Sequence, residues 1–330
     1  MGSATEDQRA TDSGDLSEEV SAVERELDEH LDRLRETREG RSCYPFLGVE
    51  IKPPVVDDIF DDLRSEYADC SGRLDVIVDS GGGDIDAAYN LSMLFRRYGG
   101  EELNFIVPRW AKSAATLLVC SGDSILMSPV AELGPLDPQI TEYNPLEGRL
   151  ERFSPLHIEL ALDLIRHEFE EGNEKLAKGL MERLQFPLTL GGFRKYHEIG
   201  EQYVAKLLNS RMLSGDRAAQ RASEIARRLA RGYASHGFCI NIDEAESIGL
   251  NAIELDGHEL DYVWSVHRLS QKKRELEKQM RTQKIMDKIK ELPSELLEGL
   301  PPDLVAKLPE SLREDLAKGG SGELGKEQIP

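Results

Sequence analysis

The chain has 330 residues, and its 62 Asp+Glu against 41 Lys+Arg give a formal net charge of −21. This acidic balance argues against a general nucleic-acid binder, no apolar run reaches the ~18 residues of a membrane span, and the N-terminus lacks the apolar core of a secretory signal. The four cysteines show no CxxC spacing, which makes a zinc site unlikely and fits free thiols in a reducing cytoplasm; they are Cys43, Cys70, Cys120 and Cys239. We expect no metal and no cofactor.

The N-terminal segment, residues 1–41, contains 13 acidic and 6 basic residues. Its small, polar start up to Gly14 is typical of disorder. From Leu16 onwards, apolar residues recur at steps of three and four, which predicts a helix with one apolar stripe. The stripe consists of Leu16, Val20, Val23, Leu27, Leu31 and Leu34.

The next part of the chain alternates predicted strands and helices. Strands are predicted at residues 74–79, 104–108 and 124–127, and helices at residues 85–97 and 113–121. Such alternation implies right-handed crossovers and a parallel sheet, so we predict an α/β fold.

A long helical pattern follows at residues 155–231. A further helix is predicted at residues 244–250, and closing strands are predicted at residues 253–255 and 262–264. The helical stretch is longer than a simple crossover, so we interpret it as an insertion into the α/β domain.

The C-terminal segment has its own character. Residues 266–290 form a helical, basic pattern with 9 Lys/Arg against 3 Asp/Glu. An LPxxL unit then repeats every eight residues, beginning at Leu292, Leu300 and Leu308. Two hypotheses remain for the ends of the chain: solvated helices and linkers, or an acidic N-terminal helix paired with the basic C-terminal one. We therefore predict three regions: 1–41, a domain at 42–264 with the insertion 155–231, and a tail at 265–330.

Two short motifs suggest chemistry. Gly81-Gly82-Gly83 follows a predicted strand and precedes a helix, where glycines allow a ligand to approach the backbone and point N–H groups at an anion. Ser113 heads a short helix of small residues after the next strand, where a helix N-terminus favours developing negative charge. The alternatives are an ordinary turn and a simple helix N-cap.

Taken together, these motifs resemble the Clp protease peptidase subunit (ClpP) and its crotonase-like superfamily. The segment Glu132-Leu-Gly-Pro-Leu-Asp-Pro-Gln139 stands where ClpP-type proteases carry their catalytic His, and the segment from His236 to Leu250 stands where they carry the catalytic Asp. The two partner residues are therefore exchanged. This order resembles the serine dehydrogenase proteinase (SDH) family, and the likeness covers roughly residues 44–262.

The resemblance implies a ClpP/crotonase-like repeated β-β-α superhelix. The residue patterns add the helical insertion, and helical N- and C-terminal extensions that lie outside the resemblance. The resemblance also implies a triad of Ser113, Asp137 and His236. His236 would take the proton from Ser113, and Asp137 would hold and stabilise the imidazole. Backbone N–H groups would form the oxyanion hole. The candidate donors are Gly82, Gly83 and Ala114.

Lys112 is an alternative base, because signal-peptide-peptidase relatives of this fold use a Ser–Lys dyad. Adjacent residues on a helix do not face each other, however, which argues against a direct Ser113–Lys112 contact. The other histidines are less favourable bases, since His157 and His167 lie on helical patterns, whereas His236 lies in a turn.

The leading functional hypothesis is a serine peptidase that cleaves peptide or protein substrates through an acyl-enzyme. The alternatives are a crotonase-like acyl-CoA enzyme and a catalytically silent scaffold, because fold does not determine function. The resemblance implies a homo-oligomer assembled through the helical insertion. An unfoldase or adaptor could engage the tail at 265–330, and its basic residues 268–290 could attach peripherally to a membrane.

Overall fold

The computed structural model describes residues 4–67, 72–136, 140–144, 148–153, 155–183 and 190–290. Among these, residues 26–271 form one compact unit, and residues 4–25 with 272–290 belong to a second. The Leu-Pro repeat beginning at Leu292 lies outside the described residues. The helices are α1 (Ala4–Thr37), α2 (Pro53–Glu66), α3 (Ile85–Tyr98), α4 (Ala114–Val119), α5 (Pro155–Glu170), α6 (Glu174–Arg183), α7 (Leu190–Leu207), α8 (Ala218–Arg231), α9 (Ile242–Ser247) and α10 (Gly257–Lys290), with a π-helical turn, Leu208–Met212, after α7.

The centre of the larger unit is a five-stranded parallel sheet with the order β1-β2-β3-β5-β9. Two short strands, β4 and β6, pair beside it, and β7 and β8 form a separate antiparallel hairpin. The predicted α/β class with a parallel sheet and a helical insertion is therefore confirmed. The strands are β1 (Ser42–Leu47), β2 (Arg73–Asp79), β3 (Glu102–Val107), β4 (Trp110–Ala111), β5 (Ser124–Met127), β6 (Glu132–Leu133), β7 (Ile140–Asn144), β8 (Arg149–Phe153) and β9 (Ala252–Glu254).

Both faces of the main sheet are buried, which explains why its strands are apolar in nearly every position. On one face, Val76, Val78 and Phe105 pack in the core cluster with α2, α3, α4 and α8. On the other face, Ile77 and Ile106 pack against α1 and α10. The α1 stripe predicted from the sequence thus supplies core residues, because Leu31 and Leu34 belong to this second cluster.

A polar row crosses the second face near the amino ends of the strands. Asp75, Asn104 and Ser124 occupy matched register positions on β2, β3 and β5. Asn104 Nδ2 donates to Asp75 Oδ1 at 3.0 Å, and Ser124 Oγ donates to Asn104 Oδ1 at 2.6 Å. Arg38, just after α1, pairs with the fully buried Asp75 and places its Nη1 2.9 Å from Glu259 Oε2 of α10. This row ties the ends of both helices to the sheet.

Two predictions along the chain are wrong. Residues 4–14, whose composition is typical of disorder, belong to α1, which begins at Ala4. The closing strand expected at residues 262–264 lies inside α10. Val263 and Val266 are both buried, and residues three positions apart lie on the same face of a helix. The short apolar run therefore belongs to a buried helix face rather than to a strand. The strand expected at residues 253–255 is confirmed as β9, and the helix expected at residues 244–250 corresponds to α9.

Within the unit formed by the chain ends, α1 and α10 make an ion pair. Lys273 Nζ lies 2.9 Å from Glu24 Oε1. Both side chains are partly exposed, so this single pair contributes little to stability. It has the charge arrangement that the pairing hypothesis for the two terminal helices predicts.

Candidate active site

Main-chain hydrogen bonds with Ile51 fix the conformation of the glycine turn between β2 and α3. Ile51 N donates to Gly82 O at 2.9 Å, and Asp84 N donates to Ile51 O at 2.8 Å. Gly82 and Gly83 have φ angles of +98° and +145°, which L side chains rarely adopt. Asp84 then begins α3, because its side chain accepts a hydrogen bond from Ala87 N at 2.7 Å. The turn therefore needs glycine at two successive positions.

Ser113 lies between β4 and α4 in a strained backbone conformation, with φ 53° and ψ −123°. A positive φ is uncommon for a residue with a side chain, and such strain clusters at active sites. Although Ser113 occupies the N-cap position of α4, its hydroxyl makes no capping hydrogen bond. The simple N-cap interpretation is therefore wrong, and the strain has no local compensation from a cap.

The glycine turn and the serine turn touch each other. A Cβ atom added at Gly82 would lie 2.9 Å from Ser113 Cβ, 3.0 Å from Ala114 N and 2.6 Å from Lys112 O. Gly82 N itself donates to Ser80 Oγ at 3.1 Å. The N–H groups of Gly83 and Ala114 have no acceptor among the residues that the structure describes. Of the three predicted oxyanion donors, these two are thus available.

His236 lies, half-buried, in the loop after α8. A turn shapes this loop, since Phe238 N donates to Ser235 O at 3.0 Å and Gly237 N donates to Ser235 Oγ at 3.2 Å. The loop is attached to β6 by a pair of hydrogen bonds between Leu133 and Ile240, at 2.9 and 3.1 Å. It is therefore anchored to the strand that pairs with β4, which leads into Ser113.

The ammonium group of Lys112, the alternative base, contacts residues of β6. Its Nζ lies 2.7 Å from Glu132 Oε2 and donates to Leu133 O at 3.1 Å. These contacts use the donors of an ammonium group, whereas a general base must present a lone pair to the proton that it takes. The pKa of Glu132 is lowered to about 2, first by the hydrogen bond from Lys112 and also by Arg109.

The β2–α3 glycine turn, the strained serine and four of the five strands of the parallel sheet fall in one segment. Residues 42–151 match the family of ClpP-like SDH-type serine proteinases. The resemblance indicated by the motifs is thereby confirmed for this part of the chain. The SDH-type segment includes Ser113, both turns and the β4–β6 pair, while His236 lies beyond it.

Two curated relatives come from Methanocaldococcus jannaschii. The uncharacterized proteins MJ0137 and MJ1495 are each 24% identical to this chain, over 64% and 67% of its length. The alignments span 62% and 68% of those proteins, so less than two thirds of the first is covered.

Solved structures show similarity as well. The 1510-N membrane-bound stomatin-specific protease is 15% identical, with 67% of this chain and 83% of that chain covered and a TM-score of 0.41. ClpP1 from Listeria monocytogenes is 13% identical, with 69% and 98% covered and a TM-score of 0.38.

The predicted orienting residue of the SDH-type triad, Asp137, lies outside the described residues. The chain leading to it is well anchored, since Gly134 N donates to Thr116 Oγ1 at 3.0 Å and Leu136 N donates to Leu229 O at 2.9 Å. The segment therefore runs from α4 towards α8, whose end precedes the His236 loop. Its role stays a prediction.

Two charged features at or beside the candidate site could not be predicted from the sequence. Glu132 belongs to the motif at residues 132–139, but nothing in the sequence indicates that it pairs with both Arg109 and Lys112. The β4–β6 pairing that brings these residues together is too short to predict. Asp79, the last residue of β2, lies immediately before the glycine turn. Its Oδ2 is 3.3 Å from Nδ1 of His267 on α10, and both side chains are buried. No sequence signal links these two positions.

Among the described residues, no cluster of three or more His, Cys, Asp or Glu side chains is arranged to hold a metal ion. Within the same residues, no helix is both long enough and apolar enough to cross a membrane.

Proposed function

We propose that this chain is an SDH-type serine peptidase with Ser113 as its nucleophile. The observation that carries the proposal is the strained Ser113 backbone beside Gly82, next to two backbone N–H groups without acceptors among the described residues. That arrangement suits an alkoxide attack in which the carbonyl oxygen becomes negative. The family match of residues 42–151 supports it.

The proposed reaction has two halves. His236 accepts the Ser113 hydroxyl proton as Oγ attacks the peptide carbonyl, and the N–H groups of Gly83 and Ala114 bind the oxyanion. The C–N bond then breaks, the leaving amine takes the proton from His236, and an acyl-enzyme remains. Water then attacks the ester carbonyl while His236 takes its proton. The bond between the acyl carbon and Ser113 Oγ breaks, Oγ takes the proton from His236, and the acid leaves. Asp137 is proposed to hold His236 in the productive tautomer.

A fluorophosphonate probe tests the proposal directly, because it phosphonylates only an activated serine. We expect the wild type to be labelled, Ser113→Ala to be unlabelled and His236→Ala to be labelled far more slowly. Ser247→Ala and His258→Ala are matched controls, since both side chains are exposed, and they should behave as the wild type does. Absent labelling of a folded wild type would contradict the peptidase function and favour a silent scaffold.

We propose in addition that the enzyme acts in the cytoplasm as a homo-oligomer assembled through its helical insertion. The free thiols of Cys43, Cys120 and Cys239 support a reducing compartment. Exposed apolar side chains on α5 and α6 support an assembly surface. They are Leu160, Leu164, Phe169, Leu176 and Met181. An unfoldase or adaptor acting through the tail at 265–330 remains part of this proposal.

A further inference from the structure

The side chain of Lys112 joins three segments of the fold. Its Nζ lies 2.7 Å from Glu132 Oε2, 3.1 Å from Leu133 O and 3.5 Å from Phe238 O. Glu132 and Leu133 form β6, and Phe238 belongs to the loop that carries His236. One ammonium group therefore connects the residue preceding Ser113 to the loop of the candidate base.

The backbone of Lys112 is attached just as firmly to the other half of the site. Lys112 N donates to Ser80 O at 3.0 Å, at the start of the glycine turn. Lys112 O accepts from Ala115 N at 2.9 Å, in the first turn of α4. The main chain of this residue thus belongs to the oxyanion side of the site, while its side chain reaches the His236 side.

The surroundings of Lys112 restrict its side chain to this position. Its stem packs against Gly134, where an added Cβ would lie only 2.8 Å from Lys112 Cδ. The partner carboxylate is fixed from its other side, because Arg109 Nη1 lies 2.7 Å from Glu132 Oε1. The exposed fractions of the Lys112 and Glu132 side chains are only 20% and 22%. Such a confined pair has a defined geometry, unlike a solvated surface pair.

We propose that Lys112 is a positioning residue, whose ion pair with Glu132 and contact with the Phe238 carbonyl hold the Ser113 turn in register with the His236 loop. This inference rests on the proposed peptidase function. Proton transfer between serine and histidine requires hydrogen-bond reach, and a misplacement of ~1 Å can cost ~10²-fold in rate. Lys112 therefore acts through Ser113 and His236 and does not itself take a proton.

The test compares Lys112→Met, Lys112→Arg and Glu132→Gln in the full chain, with p-nitrophenyl acetate and the fluorophosphonate probe between pH 5.5 and 9. We expect Lys112→Met and Glu132→Gln to lower kcat and the labelling rate by ~10- to 10²-fold with little change in KM. The double variant should be no slower than the slower single variant, since both remove one interaction. Lys112→Arg should recover most of the rate, because a guanidinium can still pair with Glu132.

The pH profile separates positioning from base catalysis. If Lys112 only positions, Lys112→Arg keeps the acid limb of kcat/KM where the wild type has it, since the cation beside Glu132 is preserved. If Lys112 were the base, Lys112→Arg would be as inactive as Lys112→Met at every pH, because a guanidinium does not give up its proton; that result overturns the inference. Lys178→Met is the control, because its pair with Glu182 is exposed and lies on α6, which carries none of the candidate site residues.

The outcomes also separate this inference from the proposed function. An unlabelled wild type defeats the peptidase proposal itself. A labelled, Ser113-dependent wild type with an unchanged rate in Lys112→Met defeats only the positioning role. Circular dichroism and a thermal midpoint establish that each variant is folded, and Glu132→Gln and Lys112→Arg test the same contact should Lys112→Met fail to fold.

Discussion

Two backbone conformations define the candidate site at the scale of single residues. Ser113 has a positive φ although it carries a side chain, and Gly82 has a positive φ and no room for one. The two conformations occur side by side. Because Gly82 has no Cβ atom, Ser113 and the N–H group of Ala114 can lie close to its backbone. The close approach of the two turns therefore requires a residue without a Cβ atom at position 82.

Replacing Gly82 by Ala tests this close approach. The new Cβ would lie 2.6 Å from Lys112 O and would impose a φ of +98° on alanine, so we expect a loss of about 1–3 kcal/mol in stability. Displacing the oxyanion donors should also slow labelling of Ser113 by ~10²-fold. Thermal unfolding and probe kinetics measure the two effects.

Gly81→Ala is the matched control, because nothing lies within 4 Å of an added Cβ there and its φ is not positive. We expect its stability and labelling rate to stay near those of the wild type. An equal loss in both variants would show that the turn needs general flexibility rather than the Gly82 contact.

The Glu132 carboxylate predicts a pH-dependent contribution to stability. Its pKa is lowered from the ordinary 4.5 to about 2, first by the hydrogen bond from Lys112. Because the folded-state pKa lies below the unfolded one, the stabilisation is complete above about pH 4.5 and is lost as pH falls towards 2. The thermal midpoints of wild type and Glu132→Gln should differ most at pH 6 and converge between pH 4.5 and 2.

The control for this prediction is Glu50→Gln. Glu50 pairs with Lys52 at the same 2.7 Å, but the two side chains are 66% and 57% exposed, so little stability is expected from the pair at any pH. A difference for Glu132→Gln that stayed constant from pH 6 to pH 2.5 would argue against an ionised, hydrogen-bonded carboxylate as its source.

At the scale of elements, the parallel sheet brings the functional turns together. The turn after β2 and the turn that follows β3 and β4 both lie at the carboxyl ends of neighbouring strands, where α/β folds place their ligands. The opposite, amino-terminal end carries the buried polar row of Asp75, Asn104 and Ser124. The candidate site thus lies at one end of the sheet, and the contacts with α1 and α10 through Arg38 and Glu259 lie at the other.

Arg38→Met tests that attachment. It leaves the fully buried Asp75 without its closest cation, and breaking a buried pair from one side typically costs ~3–5 kcal/mol. Arg41 Nη1, 3.9 Å from Asp75 Oδ1, and Asn104 compensate in part, so we expect ~3 kcal/mol, measured by urea unfolding.

Arg64→Met provides the comparison on α2. Arg64 lies 3.8 Å from Asp61, and the two side chains are 70% and 73% exposed, so its loss should cost less than about 0.5 kcal/mol. Similar destabilisation by both substitutions would mean that burial of Asp75 is not what gives the Arg38 pair its importance.

Elements with strong local signals could be predicted from the sequence. The strands β2, β3 and β5 are apolar runs bounded by Gly, Ser or Pro, and α3 repeats its apolar residues at steps of three and four. These two patterns predict buried strands and a helix, respectively. The run at residues 262–264 was too short to distinguish the two periods, and only burial of Val263 and Val266 on one helix face decides it.

At the scale of the whole molecule, the exposed apolar residues of α5 and α6 predict self-association. A Leu164→Glu/Leu176→Glu double variant places charges on that surface, so we expect a smaller particle by light scattering after size exclusion. Met93→Glu is the control, since Met93 is 47% exposed on α3 and lies outside the group. An unchanged mass in the double variant would place the assembly surface elsewhere.

The sequence by itself determined the α/β class, the glycine turn and the nucleophile candidate, because each depends on residues adjacent in the chain. It also carried the family resemblance of the serine segment. Only the tertiary structure decided that the two turns touch and that Asp79 pairs with His267. It also decided that Lys112 contacts Leu133 and Phe238, which are 21 and 126 residues further along the sequence. Those contacts depend on how sheet register and loop anchoring bring distant segments together, and no local period or propensity encodes that placement.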